Sequence, residues 1–442
     1  MTHDDYAIEQ QALAAAWKKR TPTLWPAARK AAPWIDQDGK PVGHYAHCLP
    51  AENAAGNLLP DSYGATELFS ELGIPWHCGI DGGPGNNLLS SQVQCVNALM
   101  PMVHDPMRIV RAFGNAVDIA EVLEIEPGRH LTFEYIGPTD YFDEGAGKPR
   151  VRGTRCTSFD AAFLYRTCVG TTELALVEWK YTERYTTARK PNPGYDKTRI
   201  KRYGAAYNDP SGPLHSELID IEWMLDEPFY QLMRQQLLAW RLEQDRAEGA
   251  DIVRVLHVLP PDNRAYQTSM VRAEHRALGG SVDDVWRRLL RTPDRFRHLD
   301  PAVLLAQSIT SWDYVDRYSP TGTNEMPWGV SVWRDSDERI TAAAYVHENG
   351  FEWCHRPAQD FDSPPRDRTE LVSLPDREYF SLFDDEKTMI VGSLEYARAF
   401  LRAVVATGLS EPNGLTSSSW PEQVSHIIST WPPVDMESRS GL

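Results

Sequence analysis

The sequence predicts a mixed α/β fold of the α+β kind, with a central mixed sheet flanked by helices and a small C-terminal α+β unit. Three observations carry this. Apolar residues recur at helical spacing up to about residue 123, and the period then changes to the two-residue alternation of strands over 130–183. A long helical pattern at 227–246 is followed by the apolar run 251–260. Helix, three-strand meander, helix, strand is an order that covers both faces of a sheet.

The elements follow in chain order. Residues 6–20 read as a short amphipathic helix, and the Pro-, Ala- and Trp-containing stretch to about Leu59 has weak periodicity. Residues 1–80 are therefore expected to wrap the core as an N-terminal extension. The turn Gly82-Gly83-Pro84-Gly85 introduces LLSSQVQCVNALMPMV, a buried helix, with another predicted near 105–123. HLTFEYIG (130–137), SFDAAFLYRT (158–167) and TELALVEWKYTE (172–183) are three consecutive strands. The helix at 227–246 leads to a fourth strand, DIVRVLHVLP, which Pro260-Pro261 ends. Helices near 281–292 and 301–309 close a main domain over 81–318, and SPTGTNEMPWG (319–329) reads as a linker. Beyond it, residues 325–407 hold the strand-like GVSVWRD and ITAAAYVH, a Pro- and Asp-rich loop at 357–367 and a helix near 394–406. Residues 408–442 are Ser- and Pro-rich and are expected to be a flexible tail.

Composition sets bounds on function. At 442 residues, with 42% hydrophobic and 24% charged, the chain is globular and long enough for more than one core. The opening MTHDDYAIEQQALAAAWKKR lacks an apolar block of signal-peptide length, and no later stretch reaches about 18 uncharged apolar residues. A soluble, cytoplasmic protein without a membrane partner is expected. Six cysteines with no CxxC pair fit a reducing compartment. The neighbours His47-Cys48, His77-Cys78 and Cys354-His355 are poorly placed for tetrahedral zinc. A formal charge of −17 opposes indiscriminate binding to phosphates and leaves a local basic patch as the route to nucleic acid.

The chemistry is concentrated in the third strand. Glu178 and Lys180 are two apart, so the pleat projects both from one face while Trp179 points into packing. The preceding LALV marks a strand buried on both faces, where charges are costly unless compensated. Asp160, in the neighbouring strand, reaches the same end of the sheet. Two converging carboxylates suit a hard cation such as Mg²⁺, with Mn²⁺ as substitute, and the lysine would orient water or stabilise negative charge during phosphodiester hydrolysis. The plainer alternative is an ion pair at a strand end with Asp160 capping a turn.

The segments SSQVQCVN (90–97), TSFDAAFLY (157–165), VEWKYTERY (177–185) and PFYQLMRQQLLA (228–239) resemble a restriction-endonuclease-like bacterial family of the PD-(D/E)XK nuclease superfamily, over residues 80 to 318. The resemblance implies a restriction-endonuclease-like core, Asp160 and Glu178 as metal-binding acids, and Lys180 as the catalytic lysine. Phe159 stands where the superfamily's name has Pro. The resemblance also implies auxiliary positions at Gln92 and Glu134; as alternatives, Gln92 bridges buried backbone and Glu134 is a surface strand residue.

Two further stretches bear on the substrate. Arg189, Lys190, Lys197, Arg199, Lys201 and Arg202 are interleaved with Tyr185, Tyr195 and Tyr203, and read either as a phosphate-tracking loop or as a solvated one. Gln235 either turns toward the site or belongs to an ordinary amphipathic helix. The leading expectation is a DNA endonuclease, with a defence role implied by the resemblance alone. An RNA or repair nuclease remains open because the triad recognises a phosphodiester rather than a sugar. So does a nonenzymatic binding module retaining the fold. Fourteen tryptophans and many acids also raise a glycoside hydrolase, but Lys180 beside Glu178 suits phosphate chemistry better. One such centre cuts one strand at a time, so a homodimer is expected for duplex cleavage.

Overall fold

The computed structural model describes residues 5–319, apart from 22, 25, 307 and 308, and strands between 328 and 393. The chain divides into two compact units, Met1–Lys19 with Pro26–Gly322 and Arg20–Trp25 with Thr323–Leu442.

The first unit opens on α1 (Asp5–Arg20) and a hairpin of β1 (Ala32–Ile35) and β2 (Pro41–Tyr45), followed by α2 (Ala65–Leu72), α3 (Ser91–Leu99) and α4 (Pro106–Phe113). The Ser90 side chain caps α3 by accepting from the Val93 N–H, and every residue from Val93 to Leu99 is buried. Asp105 caps α4 through the Met107 and Arg108 amides, with Pro106 in the first turn. The helix predicted over 105–123 is therefore shorter. It stops at Phe113 before Gly114, and the chain then turns so that Ala120 N–H donates to Arg166 O at the sheet edge.

The sheet has six strands: β3 (Glu121–Leu123), β4 (Leu131–Tyr135), β5 (Phe159–Arg166), β6 (Thr172–Trp179), β7 (Ile252–Val258) and β8 (Phe296–Leu299). Their order is β3-β5-β6-β7-β8, with β4 also paired to β5. The predicted meander is present, since β4, β5 and β6 pair antiparallel in turn, and β7 joins β6 in parallel. The sheet is thus mixed. β8, parallel to β7, is an edge strand for which the sequence predicts no element.

Helices cover both faces. Between β6 and β7 run α5 (Pro193–Tyr207) and α6 (Phe229–Gln244), and Leu232, Leu238 and Tyr203 pack in one core cluster with Leu174 and Leu176 of β6. Phe229, Met233 and Leu237 of α6 are fully buried, each contributing about 1.5–3 kcal/mol relative to exposure. On the opposite face, Trp179 Nε1 donates to Gln94 Oε1 of α3 at 2.9 Å. After β7 come α7 (Arg264–Gln267), α8 (Ala273–Leu278) and α9 (Val282–Leu289); after β8, α10 (Trp312–Tyr318). The helix predicted at 301–309 contracts to a 3-10 turn, Pro301–Leu304, which Asp300 caps. No helix among the described residues is long and apolar enough to cross a membrane.

In the second unit, β9 (Trp328–Arg334), β10 (Ile340–His347) and β11 (Gly350–His355) form one antiparallel sheet; β12 (Glu370–Ser373), β13 (Tyr379–Asp384) and β14 (Lys387–Ser393) form another. The strand-like stretches GVSVWRD and ITAAAYVH fall on β9 and β10. The loop predicted at 357–367, the helix near 394–406 and the tail at 408–442 lie outside the described residues.

Candidate active site

Strand register builds the site. β5 opposes β6 with Ala161 facing Val177, so one step further Asp160 faces Glu178. β4 opposes β5 with Phe133 facing Ala161 and Tyr135 facing Phe159, which sets Glu134 opposite Asp160. Directly opposed residues share a face of the sheet, so the three acids stand in one row. Lys180 lies just past β6, where its N–H still donates to Val258 O at 2.8 Å and continues the ladder. Its spacing from Glu178 returns it to the same face.

Each side chain is held in place. Lys180 Nζ donates to Glu178 Oε1 at 2.6 Å and to Gln231 Oε1 at 2.8 Å. Gln231 Nε2 donates to Glu178 Oε1 at 2.7 Å, while Gln235 Nε2 bonds both Glu178 Oε2 and, at 3.0 Å, Ser158 O. Gln235 therefore faces the site rather than serving only the packing of α6. Asp160 Oδ2 accepts from the Trp179 N–H at 2.6 Å. Glu134 is a buried residue, not a surface one, and accepts from Ser158 Oγ at 2.7 Å and Gln92 Nε2 at 3.3 Å. Gln92 touches Glu134 and also bridges backbone, accepting from the His77 N–H at 2.8 Å. Glu134 adopts a φ of 47°, a left-handed conformation that disfavours a glutamate and must be held by its surroundings.

Electrostatics follow from this crowding. Burial, and then the charges of Glu178 and Glu134, raise the Asp160 carboxyl well above the usual carboxylate range. Burial also raises Glu134, against the hydrogen bonds from Ser158 and Gln92. For Lys180, burial opposes the ammonium, but Glu178, with Tyr185, Glu183 and Tyr266 beyond it, holds the group well above the usual lysine range. Glu134, Asp160, Glu178, Lys180, Gln92 and Gln231 all line a cleft of about 770 Å³.

The donor set fits a hard cation in its chemistry. Three carboxylates face one ammonium, so the row is net negative when fully ionised, and a divalent ion would offset the burial and the repulsion that lift Asp160. Mg²⁺ takes few protein oxygens and keeps several waters. Two acids suffice for it, and no third His, Cys, Asp or Glu among the described residues completes with them a set within 4.8 Å.

The basic segment 189–202 is not the loop that the sequence predicts. From Pro193 it is the helix α5, with the Asn192 side chain accepting from the Tyr195 N–H at its start. Arg189 pairs with Asp196 at 2.6 Å, and Arg199 lies over the Tyr230 ring at 4.4 Å. Lys190, Lys197 and Lys201 are exposed, Arg202 is partly buried, and none of the six lines the cleft. Gln231 is the contact that sequence reasoning passes over; the signal was its position one helical turn before Gln235, on the same face of α6.

A central mixed sheet of six strands flanked by helices is the architecture of a restriction-endonuclease-like core. The chain belongs to the family described as restriction endonuclease associating with ARP, whose model matches residues 10–319 and takes in the whole sheet and the acid row. No curated protein and no solved structure is significantly similar to the chain.

Proposed function

We propose that the chain is a metal-dependent nuclease of the PD-(D/E)XK type that hydrolyses phosphodiester bonds, with DNA as its principal substrate and defence as its setting. The observation that supports this most is the row itself: Asp160 opposite Glu178, with Lys180 two residues on, at a cleft. Family membership adds independent support, because the family is described by its restriction endonuclease.

Asp160 and Glu178 would hold Mg²⁺, or Mn²⁺ in its place. When bound, such an ion polarises the phosphodiester and makes water a stronger nucleophile. The other tasks fall to the chain. Lys180 is held as a cation, so it stabilises developing negative charge or orients water rather than acting as a base. Among the described residues two acceptors occupy two of its three N–H donors, which leaves one for substrate or water. Gln231 and Gln235 fix the Glu178 carboxylate, and Glu134 with Gln92 shapes the far end of the row.

The test is incubation of the purified chain with supercoiled and linear DNA, single-stranded DNA and RNA, in the presence of Mg²⁺, Mn²⁺, Ca²⁺ or EDTA. Cleavage with Mg²⁺ and Mn²⁺, binding without turnover with Ca²⁺, and neither product nor nick with EDTA are expected. Full activity after exhaustive chelation would remove the metal. Binding without cleavage of any nucleic acid under Mg²⁺ would replace the enzyme with a binding module.

A further inference from the structure

The acid row does not end at Glu178. β7 places His257 in register with Glu178, and β8 places His298 in register with His257, so the same face of the sheet continues into two imidazoles. Asp283, in the first turn of α9, joins them. One ligand atom from each of His257, Asp283 and His298 lies within 4.8 Å of the others, and this is the one such set of three among the described residues. His298 Nε2 is 2.9 Å from Asp283 Oδ1 without the alignment of a hydrogen bond, and the two imidazole rings are 5.2 Å apart, centre to centre.

His257 is the informative member. It is 1% exposed, its Nδ1 has no hydrogen-bond partner in the described structure, and its Nε2 lies 3.4 Å from Tyr266 Oη. A buried polar atom left without a partner is costly, and few survive in folded proteins. A metal-ligating histidine commonly engages its second nitrogen with an oxygen acceptor, which fixes the ring; Nε2 toward Tyr266 leaves Nδ1 as the ligand atom.

We propose that His257, Asp283 and His298 form a second metal site, distinct from the acid pair, that binds a d-block divalent ion of the zinc class. Two imidazoles and a carboxylate are the donors that Zn²⁺ takes, whereas Mg²⁺ and Ca²⁺ prefer oxygen alone. Donors around Zn²⁺ at about 2.0–2.2 Å lie roughly 3.3 Å apart, so the set must close slightly on the ion. Asp283 and His298 are partly exposed, which gives the ion an entry path and water a fourth position. The site ties edge strand β8 and helix α9 to β7. It also braces Tyr266, whose hydroxyl adds to the electrostatic environment of Lys180.

The test is titration of the chelator-stripped full chain with Co²⁺ as a visible probe, then with Zn²⁺, under excess Mg²⁺ to fill sites made only of oxygen. One equivalent of Co²⁺ should bind with the intense visible absorption of four- or five-coordination and no thiolate charge-transfer band. Zn²⁺ should displace it and raise the melting temperature. Asp283→Asn and His298→Gln should each weaken Co²⁺ binding by at least about 100-fold while the metal-free melting temperature stays near that of the parent. If a variant does not fold, the spectrum of the parent decides. A weak, water-like octahedral spectrum, a thiolate band, or binding that survives in both folded variants overturns the site.

Discussion

Gln231 and Gln235 stand one turn apart on α6 and grip Glu178 from both carboxylate oxygens. Replacing Gln235 with Leu removes the donor to Glu178 Oε2 and leaves a buried charge less satisfied. A stability loss of about 1–3 kcal/mol is expected in chemical denaturation, with cleavage falling by roughly 10-fold. A variant equal to the parent in both would show that the contact is idle. Gly153 tests the other end of the row. It has a φ of 67°, and an added Cβ would sit 3.1 Å from Glu134 Cδ, so Gly153→Ala should cost about 1–2 kcal/mol and displace Glu134. A denaturation midpoint equal to that of the parent would contradict the strain. At this scale the placing of Asp160, Glu178 and Lys180 on one face was legible, because alternation along a strand and pairing with the next strand of a meander follow from the local sequence. Gln231 was not, and Gln235 was legible only as one of two readings, because an amide in an amphipathic helix reads the same whether it faces water or a carboxylate. His257 and His298 meet only through parallel pairing of distant strands, which no local pattern announces.

Elements carry two further expectations. In α5, Lys197 and Lys201 are four apart and exposed, whereas Arg189 and Arg199 are engaged by Asp196 and the Tyr230 ring. If the exposed pair tracks phosphates, Lys197→Ala with Lys201→Ala should reduce the log–log salt slope of DNA binding by about 2; an unchanged slope would return the helix to an ordinary solvated face. Between β6 and β7, the buried Glu173 is paired with Arg254. Burial alone would raise the Glu173 carboxyl, but the hydrogen bonds from Arg254 and Tyr165 and the Arg254 charge bring it below the usual range. Its folded-state proton affinity is thus lower than in the unfolded chain. The pair's stabilisation is complete above the ordinary glutamate range and is lost as pH falls through the depressed folded value. Glu173→Gln should therefore destabilise the protein by on the order of 3 kcal/mol at neutral pH, and by progressively less on acidification. Parallel melting curves of parent and variant across that range would oppose this. The long elements were legible from periodicity; α5 and β8 were not. Pro191, Pro193 and Gly194 look like turn residues but here introduce a capped helix, and β8 is four residues with a polar centre, stabilised by a neighbour far away in sequence.

The whole molecule is acidic, with a formal charge of −17, so under the proposed function nucleic acid would reach the cleft against the long-range field, with Lys180 and the proposed divalent ion to offset it there. Cleavage should consequently be strongly metal-dependent at every salt concentration. A single acid row of the proposed kind would cut one strand per encounter. Nicked circles are therefore expected before linear plasmid, and double-strand breaks should rise more than linearly with protein if two chains pair on the duplex. First-order dependence with a monodisperse monomer in light scattering would exclude the pairing. The proposed centre itself is tested most directly by measuring Mg²⁺ affinity and single-turnover cleavage together in folded Asp160→Asn, Glu178→Gln and Lys180→Ala proteins. The two acid variants should lose both. Lys180→Ala should lose cleavage by on the order of 10²-fold or more while keeping or slightly improving metal binding, because a positive neighbour is gone. Three folded variants that cut at the rate of the parent would contradict the assignment of the centre to these residues.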